Sequence, residues 1–104
     1  MYFLVISTSP SIKEARRIAK AVLKEHLAAC INIQSPIESH YLWKGKPETV
    51  REVLMLIKTR KVLLGKLQKR IEKLHSYQIP EIIAIPIRYG SKKYFTWINR
   101  ETRK

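Results

Sequence analysis

The segment Val50–Lys58 is apolar on both faces, and this constrains the fold more than any other feature of the chain. Side chains of a strand alternate between its two faces. The apolar residues of one face are Val53, Met55 and Ile57, and those of the other are Leu54 and Leu56. An antiparallel strand with one solvent-exposed face alternates apolar with polar residues instead. We therefore predict that both faces of this sheet are covered, the second most simply by other copies of the chain.

The rest of the chain alternates between strand-like and helix-like patterns. The predicted elements are strands at 2–8, 28–42, 50–58 and 79–87 and helices at 11–27, 61–74 and 91–102. The run 44–47 is typical of a hairpin turn, and Pro80 and Pro86 restrict the last strand to a sheet edge or to irregular pairing. This order predicts an α+β, ferredoxin-like fold (βαββαβ plus a C-terminal helix) with an antiparallel sheet.

The chain length and the net charge limit the number of domains and the kinds of partner that the protein can have. With 104 residues, the chain fits a single domain spanning 1–104. Its 21 Lys and Arg face eight Glu and no Asp, which gives a net charge of +13 and favours anionic partners. Abundant Lys, Ile and Glu with few Asn and Gln lean toward a thermophilic source.

The single cysteine and the apolar segments predict the compartment. Cys30 cannot form an internal disulfide, which favours a reducing environment. The N-terminal run MYFLVIST has no basic leader, and no apolar run reaches the ~20 residues of a membrane span. We expect a soluble, cytoplasmic protein without a membrane partner.

No catalytic motif is recognisable. The three glycines (Gly45, Gly65 and Gly90) are isolated, so the sequence contains no phosphate-binding loop or dinucleotide fingerprint. Cys30 has small or apolar neighbours, which favour an inert packed thiol over a nucleophile. We predict that the protein is not an enzyme.

Metal ligands are sparse in the sequence. The nearest grouping is the segment 75–81, where His75 ends a predicted helix and Glu81 opens a predicted strand. His75 can instead simply cap the helix C-terminus, where a positive charge is favourable. Both interpretations of His75 stay open on the sequence alone.

Nucleic-acid binding is a further alternative. Residues 92–97 (KKYFTW) mix lysines with aromatics, a pattern that can follow phosphates and stack bases, although the same spacing fits one buried and one solvated helix face. The RNA-recognition module has the same element order. Its third strand needs a glycine and aromatics, which residues 52–57 (EVLMLI) lack, so only general electrostatic affinity through Lys92 and Lys93 remains.

Five blocks of sequence, in order along the chain, resemble the CutA family. They are LAACINI (27–33), SHYLWKGK (39–46), EVLMLIKT (52–59), HSYQIPEI (75–82) and YFTWI (94–98). The resemblance covers essentially the whole domain. It implies a ferredoxin-like protomer in a PII-like homotrimer, whose sheets pack around a three-fold axis and cover the face of Leu54 and Leu56.

The resemblance also implies a function and a site. The family is associated with tolerance to divalent cations, copper in particular, through binding of a metal ion or small ligand in a cleft between subunits. His75 and Glu81 are the expected metal contacts, Tyr41, Trp43 and Tyr77 the cleft walls, and Lys58 a holder for an anionic group. Copper or another divalent metal is the expected ligand, and folding is expected not to require it. The alternative is a PII-like sensor of small anions without physiological metal binding.

The chain departs from the family pattern at three places. Ser7 stands where a proposed copper site of the family has a cysteine, and Ser76 replaces the usual proline between His75 and Tyr77. Of the acidic run that follows Gly-Lys in the family, Glu48 and Glu52 remain. The loss of the thiolate removes a soft ligand and weakens the expectation of a copper site.

Overall fold

The computed structural model describes residues 1–103, and it has the predicted α+β architecture. Its elements are β1 (Tyr2–Ser9), α1 (Ile12–Lys24), β2 (Cys30–Trp43), β3 (Lys46–Arg60), a 3₁₀ turn (Lys61–Leu63), α2 (Leu64–Leu74), β4 (Ile82–Ile87) and α3 (Lys92–Glu101). The four strands form one antiparallel sheet in the order β2-β3-β1-β4. The predicted edge position of the proline-containing strand β4 is confirmed. No described helix is long and apolar enough to cross a bilayer.

The structure corrects the predicted limits of three elements. Helix α1 ends at Lys24 rather than at 27, because His26 takes a positive φ of 58° that no helix interior accepts. The β2–β3 hairpin is longer than expected, since β3 begins at Lys46 instead of Val50. Lys44 and Gly45 both have positive φ, the requirement of a two-residue hairpin turn, so pairing continues up to Trp43 and Lys46. Strand β4 begins at Ile82 rather than at 79. Pro80 has no N–H to donate to a neighbouring strand, so regular pairing starts after it.

The hydrophobic core lies between one face of the sheet and the helices α1 and α2. Val53, Met55 and Ile57 on β3 are buried there against Ile18 of α1 and Ile71 of α2. In α1 the apolar residues recur at helical spacing, and Ser11 caps its N-terminus by accepting a hydrogen bond from the Glu14 N–H at 3.1 Å. The apolar stripe of each helix and the inward face of β3 therefore close one continuous core.

The other face of the sheet, which we call the open face, is apolar and only partly covered. Its apolar side chains, placed by the strand register, are Leu4, Ile6, Leu54, Leu56, Ile83 and Ile85. Helix α3 covers one end, where the Phe95 ring stacks on Tyr2 with centroids 4.5 Å apart. Ile83 and Ile85 on β4 stay about half exposed. The predicted placement of Leu54 and Leu56 opposite the core is confirmed.

Candidate functional site

A cleft of about 760 Å³ lies between the outer half of the β2–β3 hairpin and the linker that joins α2 to β4. Its lining residues are Thr8, Ser39, His40, Tyr41, Trp43, Glu48, Glu52, Tyr77, Gln78, Ile79 and Glu81. The hairpin supplies one wall because Tyr41 lies directly opposite Glu48 in the strand register, and Trp43 lies on the same face two residues further on. The volume is in the range of small-molecule sites.

His75 anchors the linker beneath the cleft. Its ring is fully buried, Nε2 lies 2.6 Å from the carbonyl oxygen of Thr8, and Nδ1 accepts a hydrogen bond from the Tyr77 N–H at 3.0 Å. Because a backbone N–H can only donate, Nδ1 carries no proton, and Nε2–H donates to Thr8. The Ser76 N–H donates to the Glu14 carboxylate at 3.0 Å. These contacts fix the direction of Tyr77 and of the residues that follow.

Glu52 is the most buried carboxylate of the cleft. Only 8% of it is exposed, and one of its oxygens accepts a hydrogen bond from the Tyr77 hydroxyl at 2.7 Å. Burial, and after it this hydrogen bond, raises the pKa of Tyr77 above its usual value, so the phenol keeps its proton. Among the described residues, Glu52 has no cationic partner. An isolated buried charge of this kind is costly unless a ligand compensates it.

The cleft is acidic although the protein is strongly basic. Three of the eight glutamates, Glu48, Glu52 and Glu81, line it, and no described Lys or Arg does. The five basic residues of α1 and the four of α2 lie on the two helices, and most of them are exposed. Positive charge is thus concentrated on the helical layer and negative charge in the cleft.

The pKa of Glu81 predicts how stability depends on pH. Burial, and after it the charge of Glu52, raises this pKa above its usual value. Between the ordinary and the raised pKa, the folded protein binds more protons than the unfolded chain, so the free energy of unfolding decreases as pH rises through that window. We expect Glu81→Gln to flatten this decrease. Chemical denaturation of the metal-free protein from pH 4 to pH 8 measures it, and parallel curves for wild type and variant would contradict the assignment.

The structure brings together four of the six site residues expected from the resemblance. Tyr41, Trp43, Tyr77 and Glu81 all line the cleft. His75 lies behind it with both ring nitrogens in hydrogen bonds. It is the C-cap residue of α2 through its N–H, which is bonded to the Ile71 carbonyl, but its ring contacts Thr8 and Tyr77 instead of the helix end. Lys58 does not line the cleft, because its Nζ contacts Asn32 and lies 3.9 Å from the Cys30 sulfur.

The sequence alone did not identify Glu48, Glu52 and His40 as residues of the cleft. Glu52 and Glu48 were read only as remnants of an acidic run, yet residues four apart in a strand share a face, which the sequence could have revealed. His40 also lines the cleft, where its Nδ1 lies 3.0 Å from the Thr49 hydroxyl. His40 lies opposite Thr49 because the hairpin is longer than predicted. A strand β3 that began at Val50 would not include Thr49.

The soft-ligand copper site has no counterpart here. The Ser7 hydroxyl, at the position of the family cysteine, is fully buried and has no hydrogen-bond partner among the described residues. The part of the chain that the structure describes contains no group of three or more His, Cys, Asp or Glu placed to hold one metal ion. A metal would therefore meet mainly oxygen donors in this cleft, because the His40 side chain lies on the strand face opposite to Tyr41 and Trp43.

The aromatic residues near Lys92 and Lys93 contact other aromatic rings of the chain. Both lysines are exposed at the start of α3, but Phe95 stacks on Tyr2, and the Tyr94 and Trp97 rings lie 5.5 Å apart. This arrangement matches the alternative of a helix with one solvated face. Of these rings, Tyr94 stays 41% exposed beside the lysines.

Comparison with known proteins gives one consistent result. The family model described as CutA1 divalent ion tolerance protein matches residues 3–101. The divalent-cation tolerance protein CutA of Thermus thermophilus is 42% identical over 99 residues, 95% of this chain and 96% of the relative. A chloroplastic CutA 1 protein of rice is 43% identical over 97% of this chain, which spans only 57% of that longer protein.

Solved structures give the same result for the fold. The T. thermophilus protein superimposes with a TM-score of 0.97 at 42% identity, covering 99% of this chain and all of that one. A protein of Archaeoglobus fulgidus, described as a periplasmic divalent cation tolerance protein CutA, gives 0.96 at 41% identity, again over 99% and 100%. With periplasmic and chloroplastic relatives, the cytoplasmic location stays a prediction.

Proposed function

Because the chain belongs to the CutA1 family of divalent ion tolerance proteins, we propose that it acts in divalent-cation tolerance by binding a cation in the acidic cleft. The observation that carries this proposal is Glu52, a carboxylate that is buried at the cleft and forms no ion pair with a described Lys or Arg. A bound cation supplies the missing positive charge. The role is one of binding, without catalysis.

The donor groups of the cleft favour hard cations. Carboxylate oxygens suit Mg²⁺, Mn²⁺ and Ca²⁺, whereas imidazole suits Cu(II) and thiolate suits Cu(I). Copper therefore remains the proposed ligand only through its high general affinity for divalent sites, since Ser7 offers no thiolate and His40 lies on the other face of the strand. Metal is not required for folding in this proposal, because the core closes between sheet and helices away from the cleft.

The geometry favours a cation over the small anion of the alternative. An anion site needs Lys, Arg or backbone N–H groups converging on one point. No described Lys or Arg lines this cleft, and Lys58, the expected anion holder, is bound to Asn32 instead. Three carboxylates repel an anion at the same place.

We further propose that the protein forms a homotrimer through its open face. Leu54 and Leu56 are half-buried, and Ile83 and Ile85 are about half exposed on the edge strand β4. Exposed apolar patches and unpaired strand edges are typical of association surfaces. Burial of this face against other copies would stabilise the assembly despite the repulsion between protomers of charge +13.

The cation proposal is tested by titration calorimetry. Mn²⁺ and, separately, Cu²⁺ are titrated into chelator-treated protein, and we expect saturable binding that Glu52→Gln weakens about 10- to 100-fold, because the most buried carboxylate of the cleft is lost. The matched control is Glu72→Gln on the exposed side of α2, which should leave the affinity unchanged. His75→Ala tests whether the imidazole contributes directly.

Two results would contradict the proposal. The first is the absence of saturable heat with either metal. The second is an equal affinity of wild type and Glu52→Gln, with circular dichroism confirming that the variant is folded. An equal loss in the Glu72 control would assign the binding to general surface charge.

A further inference from the structure

The surface between α1 and α2 is a groove with a row of basic side chains on each side. The two helices meet where the Arg17 guanidinium donates to the Leu74 carbonyl at 2.9 Å and where the Arg70 Nε donates to Glu25 at 2.9 Å. Spacings of three and four residues place side chains on the helix faces beside these contacts. The rows are Lys13, Arg17, Lys20 and Lys24 on α1, and Lys66, Lys69 and Lys73 on α2. We call this surface the basic groove.

The charge of the basic groove is not balanced within the protein. All seven cations of the rows are exposed, and none forms an ion pair with a glutamate among the described residues. The hollow of about 440 Å³ next to α2 has Glu25 as its one carboxylate in the described chain, and Glu25 already pairs with Arg70. Like charges three or four residues apart destabilise a helix. An external polyanion would relieve this repulsion.

Stabilisation by surface ion pairs does not explain such rows. Ion-pair networks of thermophilic proteins place glutamates among the lysines and arginines, so that the two signs alternate. On α2 the exposed Glu72 bonds to Gln68 instead of to a lysine. The two rows therefore have the charge pattern of a surface for an anionic partner.

We propose that the basic groove binds the phosphate backbone of double-stranded nucleic acid without reading its sequence. The axes of packed helices lie about 8–10 Å apart, so the phosphates of one strand fit between the rows and meet cations from both sides. Release of counterions from the phosphates provides the free energy of such binding. The basic groove shares no lining residue with the acidic cleft, so this inference is independent of the cation proposal.

The composition of the two helices favours a duplex over a single strand or a membrane. Neither α1 nor α2 contains an aromatic residue. Proteins that bind single strands stack the bases on aromatic side chains, whereas the bases of a duplex already stack on each other. A helix that lies on a membrane inserts apolar side chains beside its cations. The apolar stripes of α1 and α2 are buried in the core instead, and on α1 only Leu23 is as much as 42% exposed.

The basic groove stays accessible in the proposed trimer. The inward residues of β3 pack against α1 and α2, so the helices lie on the side of the sheet opposite to the open face. Copies that associate through the open face each turn their basic groove outward. A duplex can then contact the groove without displacing a subunit.

Fluorescence anisotropy with a short labelled DNA duplex of mixed sequence tests this inference between about 50 and 200 mM salt. We expect saturable binding whose log K falls linearly with log salt. Lys20→Gln combined with Lys73→Gln removes one cation from each row. This pair should weaken binding about 10-fold and reduce the salt slope by about 2 for each protomer that touches the duplex. The matched control, Lys92→Gln with Lys93→Gln, removes the same charge from the exposed start of α3 and should leave the slope unchanged.

Three results would overturn the inference. The first is the absence of saturable binding to the duplex at the lowest salt. The second is an equal loss of affinity in the two double variants, because net charge alone would then explain the binding. The third is tighter binding to the single strand, or to vesicles that contain phosphatidylserine, than to the duplex. Binding of Mn²⁺ tests the acidic cleft separately, so either proposal can fail without the other.

Discussion

Replacing Leu56 with lysine is expected to convert the proposed trimer into a monomer. Leu56 lies at the middle of the open face, between Ile6 on β1 and Asn32 on β2 in the strand register. A lysine there places a positive charge in each protomer on the surface that would be buried, in a protein that already carries +13. Light scattering coupled to size exclusion measures the mass of each variant.

The control for this prediction is Val62→Lys. Val62 is 72% exposed in the 3₁₀ turn that precedes α2, so the same added charge falls away from the open face and the mass should not change. Leu56 points away from the helical core, and the monomeric variant should therefore keep its circular dichroism spectrum. A wild-type monomer, or a Leu56→Lys variant that keeps the wild-type mass, would refute the open-face trimer.

Truncating Ile57 to alanine should give the largest loss of stability. Ile57 is fully buried on the inward face of β3 and belongs to the main core cluster. Removing its side-chain carbons forfeits burial and leaves a cavity, which typically costs about 2–5 kcal/mol. The measurement is the free energy of unfolding by denaturant at fixed protein concentration, because assembly makes apparent stability depend on concentration.

A comparison on a monomeric background removes the contribution of assembly. If Leu56→Lys yields a folded monomer, Ile57→Ala is measured in that variant. Val62→Ala serves as the matched truncation of an exposed apolar side chain and should change stability by less than about 0.5 kcal/mol. Equal effects of the Ile57 and Val62 truncations would show that the core is not closed where the fold places it.

The architecture could be predicted because its determinants are local. The apolar residues on both faces of β3, the helical spacing in α1 and α2, and Pro86 in β4 are properties of short segments, and each specifies a face or an edge. The first and last residues of the helices and strands were harder to predict. The end of α1 depends on one positive φ at His26, and the length of the hairpin depends on a turn at Lys44 and Gly45 that allows pairing through Pro47.

Prediction of the candidate site depended on the family resemblance, because the site is formed by contacts between residues that are distant in sequence. Tyr41, Trp43, Tyr77 and Glu81 came from family blocks, and all four line the cleft. Lys58 belongs to an equally similar block but sits beside Asn32 and Cys30, since only the strand register decides its neighbours. The importance of Glu52 follows from its contact with Tyr77, 25 residues away, which spacing alone does not reveal.

The separation of charge between helices and cleft has a consequence for kinetics. Outside the cleft but within the Debye length, an approaching cation experiences the net charge of +13 and is repelled. Closer in, the carboxylates of the cleft attract it. Added salt screens the long-range repulsion and should raise the association rate, while it weakens the short-range attraction and raises the dissociation rate. Capture and release of the cation should then both accelerate with ionic strength, so that exchange is fastest where binding is weakest.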